Sequence, residues 1–117
     1  MHNIKELKIW NKAIDLAIDI YEITARFPSD ERFGLVSQAR RCAVSISSNI
    51  SEGAGRNTKG EFRQFLAIAN GSSYELHTQM IIANKLKFID DKSTEDILNK
   101  IDEIQKMNYK LQKSLEN

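Results

Sequence analysis

A chain of 117 residues, 41% hydrophobic and 28% charged, has the composition of one globular domain, too short for two cores and too apolar for disorder. Its formal net charge of +1 excludes a global field that would draw it onto nucleic acid or anionic membrane, so any such binding must come from a local patch. The one cysteine excludes an internal disulfide, the opening MHNIKELKIW lacks the apolar region of a signal peptide, and no run nears the ~18 apolar residues of a membrane span. A cytoplasmic protein is expected.

The first element is IWNKAIDLAIDIYEITARF, where Ile9, Ala13, Leu16, Ile20, Ile23 and Phe27 recur at steps of four and three. That is a helical seam. A second stripe, Trp10, Ile14, Ala17 and Tyr21, runs beside it and gives a face wide enough for a bundle helix or for a second subunit. The helix spans about 8–27, because Pro28 disfavours helical geometry in the residue before it. The second helix, about 30–53, is expected to be capped by Ser29 or Asp30 and carries Leu35, Ala39, Cys42, Ile46 and Ile50 inward. Gly53 and Gly55 supply its exit through the left-handed conformation that glycine adopts. Thr58 and Glu61 have the spacing of a capping box for a third helix, about 58–87, with Phe62, Phe65, Leu66, Ala69, Leu76, Met80, Ala83 and Leu86 as its apolar side. After KFIDDKS, Ser93 with Asp96 suggests the cap of a fourth helix, about 93–115. Its seam is Ile97, Ile101, Ile104, Leu111 and Leu115, interrupted by Asn108, and the terminal SLEN is expected to fray. Short links make sequential helices antiparallel, so the expected fold is an all-α, single-domain, up-down-up-down four-helix bundle.

Tests for chemistry are negative. Gly55 and Gly60 have P-loop spacing, but Glu61 and Phe62 stand where lysine and a hydroxyl are needed, and Thr58 occupies the third glycine position of a dinucleotide fingerprint. A di-metal carboxylate bundle needs Glu-x-x-His, whereas Tyr74 lies three before His77 and Glu75 lies two before it. No spacing ties His77 to Ser45 or Ser48 as a base to a nucleophile. Cys42, among Ala39, Ala43 and Ile46, reads as a small buried hydrophobe. No catalytic residue, metal or cofactor is assigned, and the protein is expected not to be an enzyme.

The unusual stretch is RRCAVSISSNISEGAGRNTKGEF, residues 40–62. Arg41, Ser45, Ser48 and Glu52 follow at helical spacing, with Asn49 and Arg56 continuing the stripe. Glu52 in a last turn opposes the helix macrodipole unless a cation meets it. In the third helix NGSSYE places Gly71 mid-helix, at a cost of roughly 1 kcal/mol against alanine, which suggests close packing there, with Glu75 in reach of a second-helix arginine. Three readings stay open for these groups: a solvated surface, a satisfied polar network inside the bundle or between subunits, or nucleic-acid contact. Arg32, Arg40, Arg41, Arg56, Lys59 and Arg63 against Glu52 and Glu61 form a local basic excess, without a clear aromatic stacking platform. Both flanking helices look too long for a helix-turn-helix reader.

At GLVSQARRCAVSISSNISEGAGR (34–56) and EFRQFLAIANGSSYEL (61–76), supported by WNKAIDLAIDIYEIT (10–24) and FP (27–28), the chain resembles the 23S rRNA intervening-sequence protein family of bacteria. It departs at Ser47, where the family often has proline, so a kink from that proline is not expected. The resemblance implies a four-helix bundle assembling as a ring-like homopentamer, often labelled a ribosomal protein. It also implies similarity to the accessory protein of diversity-generating retroelements, a pentameric bundle that binds a reverse transcriptase and nucleic acid. By that analogy Arg40, Arg41, Arg56, Lys59 and Arg63 contact RNA. Arg41, Ser45, Ser48, Asn49, Glu52 and Glu75 form the polar network or interface, several of them family-typical. The expected function is non-enzymatic association with rRNA or another ribonucleoprotein; the alternative is a protein-interaction scaffold that does not touch RNA directly.

Overall fold

The computed structural model describes residues 3–116. Four helices account for the fold, α1 (Lys8–Thr24), α2 (Leu35–Ala54), α3 (Lys59–Lys85) and α4 (Asp91–Ser114), and no strand occurs among the described residues. Each helix packs on the next and α1 closes on α4, giving an antiparallel bundle of 46 × 23 × 20 Å. The α2–α3 contact is the broadest. One end of the bundle holds the α1–α2 and α3–α4 links, where the Phe27 and Phe88 rings meet at 5.5 Å; the other holds the α2–α3 link beside Gly53.

The helical seams lie inside as their spacing requires. Ile9, Ala13, Leu16 and Ile20 are buried on α1, Ala39, Cys42, Ile46 and Ile50 on α2, Phe62, Leu66, Ala69, Leu76, Met80 and Ala83 on α3, and Ile97, Ile101 and Ile104 on α4. Leu86 departs from the expected seam and is 55% exposed, because α3 has ended before it. Asn108 is buried, donates to the Leu66 carbonyl at 2.9 Å and accepts from Gln112. Its amide therefore fixes α4 against α3 by a directional bond as well as by area.

Several helix ends differ from their sequence expectation. The α1 helix stops at Thr24 rather than Phe27: the Thr24 hydroxyl takes the Ile20 carbonyl at 2.6 Å, and Arg26 and Phe27 bond back only three residues. Ser29 and Asp30 do not cap α2. They lie in a separate 3-10 turn, Ser29–Glu31, and α2 starts at Leu35, whose N–H donates to the Glu31 carboxylate at 3.2 Å. Thr58 does cap α3, accepting from the Glu61 N–H at 3.1 Å. Asp90, not Ser93, caps α4 by accepting from the Ser93 N–H at 2.7 Å, a bond that lowers the Asp90 pKa. The terminal Leu115 is buried rather than frayed; Asn117 lies outside the described residues.

Neither Gly53 nor Gly55 is left-handed. Gly55 has φ −84°, and Gly53 sits within the helix. The left-handed residue is Lys87 (φ 66°), just past α3, where Phe88 donates to the Ala83 carbonyl and Lys87 to Asn84, both at 2.9 Å. This is a Schellman ending with a side chain where glycine is preferred. Lys87→Gly is accordingly expected to raise the unfolding free energy by about 1 kcal/mol, measured as a higher urea midpoint at unchanged m-value.

Candidate nucleic-acid interface

The polar stripe of α2 divides in two. Ser45 and Asn49 are half-buried against α3: the Ser45 and Ser72 hydroxyls lie 3.0 Å apart, and Asn49 donates to the Ser45 carbonyl at 2.8 Å and hydroxyl at 3.0 Å. The next residue of α3, Ser73, accepts from Gln105 of α4 at 3.0 Å. Thus SS of NGSSYE ties α3 to both neighbours, whereas Gly71 faces open space and serves no close packing. Arg41, Ser48 and Glu52 point outward, Glu52 meeting Arg56 at 3.3 Å as an i,i+4 pair. Glu75 forms no ion pair with an α2 arginine. It lies beside Cys42, whose thiol pKa is pushed up by burial first and by Glu75 in addition. Gln79 donates to that sulfur at 3.5 Å. Burial and the neighbouring carboxylate both disfavour the thiolate of Cys42.

The five cations singled out by sequence do not converge. Arg40 and Arg41 lie in the first half of α2, while Arg56, Lys59 and Arg63 lie beyond its far end, about 20 Å along the helix axis. Two of them are committed to the ends of other helices. Arg40 donates to the Thr24 hydroxyl at 3.0 Å and the Tyr21 carbonyl at 3.2 Å, with its guanidinium 4.5 Å over the Tyr21 ring. Arg63 donates to the Leu115 carbonyl at 3.3 Å. Each places positive charge on the negative end of a helix, α1 and α4 respectively. Arg56 is shared between Glu52 and the Phe65 ring, 4.8 Å away. The side chains of Arg41 and Lys59 make no hydrogen bond or ion pair among the described residues. Arg40→Ala is therefore expected to lower stability by about 1–2 kcal/mol, and Arg41→Ala by less than about 0.5, in matched urea titrations.

Arg40 and Arg41 open instead onto a shallow cleft of about 390 Å³ between the end of α1 and the start of α2. Tyr21, Arg32, Phe33, Val36, Ser37, Arg40 and Arg41 line it, so three cations and no carboxylate face one concavity. The positive end of the α2 dipole nearby is already met by Glu31, whose carboxylate accepts from the Leu35 N–H at 3.2 Å. Phe33 is 88% exposed, with the Arg32 guanidinium 5.4 Å from its ring centre. Phe33 was not among the residues singled out by sequence; it lies two residues before α2, inside the span expected to be helical. Its only signal was position, in the polar turn SDERFG. Farther along the same α1–α2 face a second shallow groove is lined by Trp10, Ile14, Ser47, Ser48, Ser51 and Glu52, with Val44 exposed between the two. No group of three His, Cys, Asp or Glu residues among the described residues is placed to share a metal, and no helix is long and apolar enough to cross a membrane.

A model of the 23S rRNA-intervening sequence protein family matches residues 5–110. The chain belongs to that family. A similar crystal structure is that of a protein of unknown function from the S23 ribosomal protein family of Bacteroides thetaiotaomicron, 23% identical, covering 90% of this chain and 95% of its own, with a TM-score of 0.83. That likeness shows the four-helix fold. No curated protein matches the sequence. In this intervening-sequence protein the serines join neighbouring helices, Ser45 meeting Ser72 and Ser73 meeting Gln105.

Proposed function

We propose that this intervening-sequence protein is a non-enzymatic, homo-oligomeric bundle that associates with RNA or a ribonucleoprotein. The observation that carries this reading is the cleft in which Arg32, Arg40 and Arg41 converge without a carboxylate. No carboxylate lines the cleft and Arg32 and Arg41 form no ion pair among the described residues, so polyanion phosphates would meet that charge at the lowest desolvation cost. Lys59, exposed at the other end, is a separate and weaker contact, with Arg56 and Arg63 already engaged beside it. Membership of a family named for the intervening sequences of 23S rRNA makes that RNA the first partner to test.

Self-association rests on a different observation. Ile18 and Val44 are exposed on the α1–α2 face, beside the groove formed by Trp10, Ile14 and three serines. Small side chains let another backbone approach closely, and apolar ones reward it, so this face supports the subunit contact of a ring such as the family's homopentamer. If that contact is the whole function, the protein is a scaffold for a nucleic-acid-processing partner.

A salt series separates the two. The RNA-binding reading expects affinity for an rRNA fragment to fall as salt rises, with a log–log slope near 0.7–0.9 per phosphate contacted, and the slope to shrink in Arg41→Ala. Absence of binding at low salt, with the oligomer intact by sedimentation, leaves only the scaffold.

A further inference from the structure

Phe33 is the most exposed apolar side chain of the described residues, on a turn whose neighbours are all polar, in a chain that buries Phe27 and Phe62 almost completely. It does not serve the fold. The charges around it are of two kinds. Arg40 is pinned by Thr24, Tyr21 and the Tyr21 ring, so it forms a fixed positive floor. The guanidinium groups of Arg32 and Arg41 flank the opening and make no hydrogen bond or ion pair among the described residues, Arg32 lying over the Phe33 ring. A ring that stays 88% exposed with Arg32 over it, and the unpaired guanidinium of Arg41 across the cleft, match a nucleotide unit: a flat base to stack and phosphates on either side.

We infer that this cleft takes single-stranded RNA, one unpaired base stacking on Phe33 while Arg32 and Arg41 hold the flanking phosphates. The inference rests on the RNA-binding reading above and deepens it. Single strands are specified because a paired base in a duplex offers no free face to a side chain, and A-form grooves hide the rest. A second copy of this chain is a poorer occupant. Docking an apolar helix there would bury three arginines with no carboxylate to meet them, and leaving a buried charge unpaired costs far more than one phenylalanine ring returns.

The test is fluorescence anisotropy with a labelled unstructured 12-nucleotide RNA and its duplex, using the intact protein in its native oligomer. The single strand should bind tighter than the duplex. Phe33→Ala should weaken single-strand binding roughly ten-fold or more, Phe33→Tyr should restore it, and Arg41→Ala should lower the salt slope by about 0.7. Because Phe33 is exposed, these variants should keep the wild-type urea midpoint, so a loss of binding is not a loss of fold. If the wild type binds no RNA at low salt, the RNA reading itself fails. If it binds but Phe33→Ala binds equally well, or the duplex competes as well as the single strand, RNA association stands and the stacking cleft is overturned. A change of sedimentation coefficient in Phe33→Ala would also overturn it, placing the ring in a subunit contact.

Discussion

Gly53→Val should destabilise the bundle by about 3 kcal/mol, whereas Gly71→Ala should stabilise it by about 1 kcal/mol. Both are helical glycines, Gly53 in the last turn of α2 and Gly71 in the middle of α3, and the difference lies in what stands opposite. A Cβ at Gly53 would lie 2.7 Å from the Phe65 Cβ and 2.9 Å from the Phe62 ring, on the broadest helix contact in the molecule. Neither neighbour can yield simply, since one is the root of a side chain and the other a buried ring. A Cβ at Gly71 meets nothing within 4 Å, so only the gain in helix propensity remains. Thermal or urea unfolding of the two variants in parallel checks both signs. A mild effect at Gly53 would mean that α2 and α3 slide apart easily, contrary to the packing described. A loss of stability at Gly71 would mean that another subunit covers it.

The second large effect is expected at Asn108. Replacing it by aspartate keeps the shape but removes the N–H donated to Leu66 and introduces a carboxylate in a site that is only 2% exposed. Asn108→Asp should cost about 3 kcal/mol or more at neutral pH. Burial raises the folded-state pKa of such a carboxyl above its unfolded value near 4, so the folded state holds the proton longer. The penalty is then small below the unfolded value and grows as pH rises through and above it. Urea midpoints at about pH 4 and pH 7 should diverge from wild type in that order. A loss independent of pH would indicate packing damage rather than buried charge.

These two residues also show what could be read from the chain alone. The inward seams, the Thr58–Glu61 cap and the antiparallel order follow from 3.6-residue spacing and short links, both local properties. Gly53 was legible only as a helix exit, because spacing on α2 says nothing of the Phe62 and Phe65 side chains that approach it from α3. The same limit applies to charge. Arg40, Arg41, Arg56, Lys59 and Arg63 are close in sequence, yet α2 is a rod that carries them to opposite ends. Arg40 and Arg63 then find carbonyls 19 and 52 residues away, partners that no local pattern encodes. Ser45 was placed on one polar stripe with Arg41 and Ser48, but α3 wraps far enough round α2 to take it inward to Ser72. Phe33 drew no reading from the sequence, and only the turn before α2 shows that it stands in water.

Ultraviolet crosslinking of the assembled protein to a photoreactive single-stranded RNA, followed by mapping of the crosslinked peptides, tests the functional account most directly. Crosslinks are expected within residues 32–41, the stretch bearing Arg32, Phe33, Arg40 and Arg41. Crosslinks confined to the α3–α4 groove, where Tyr74 and Tyr109 stand beside Lys106 and Lys110, would contradict it.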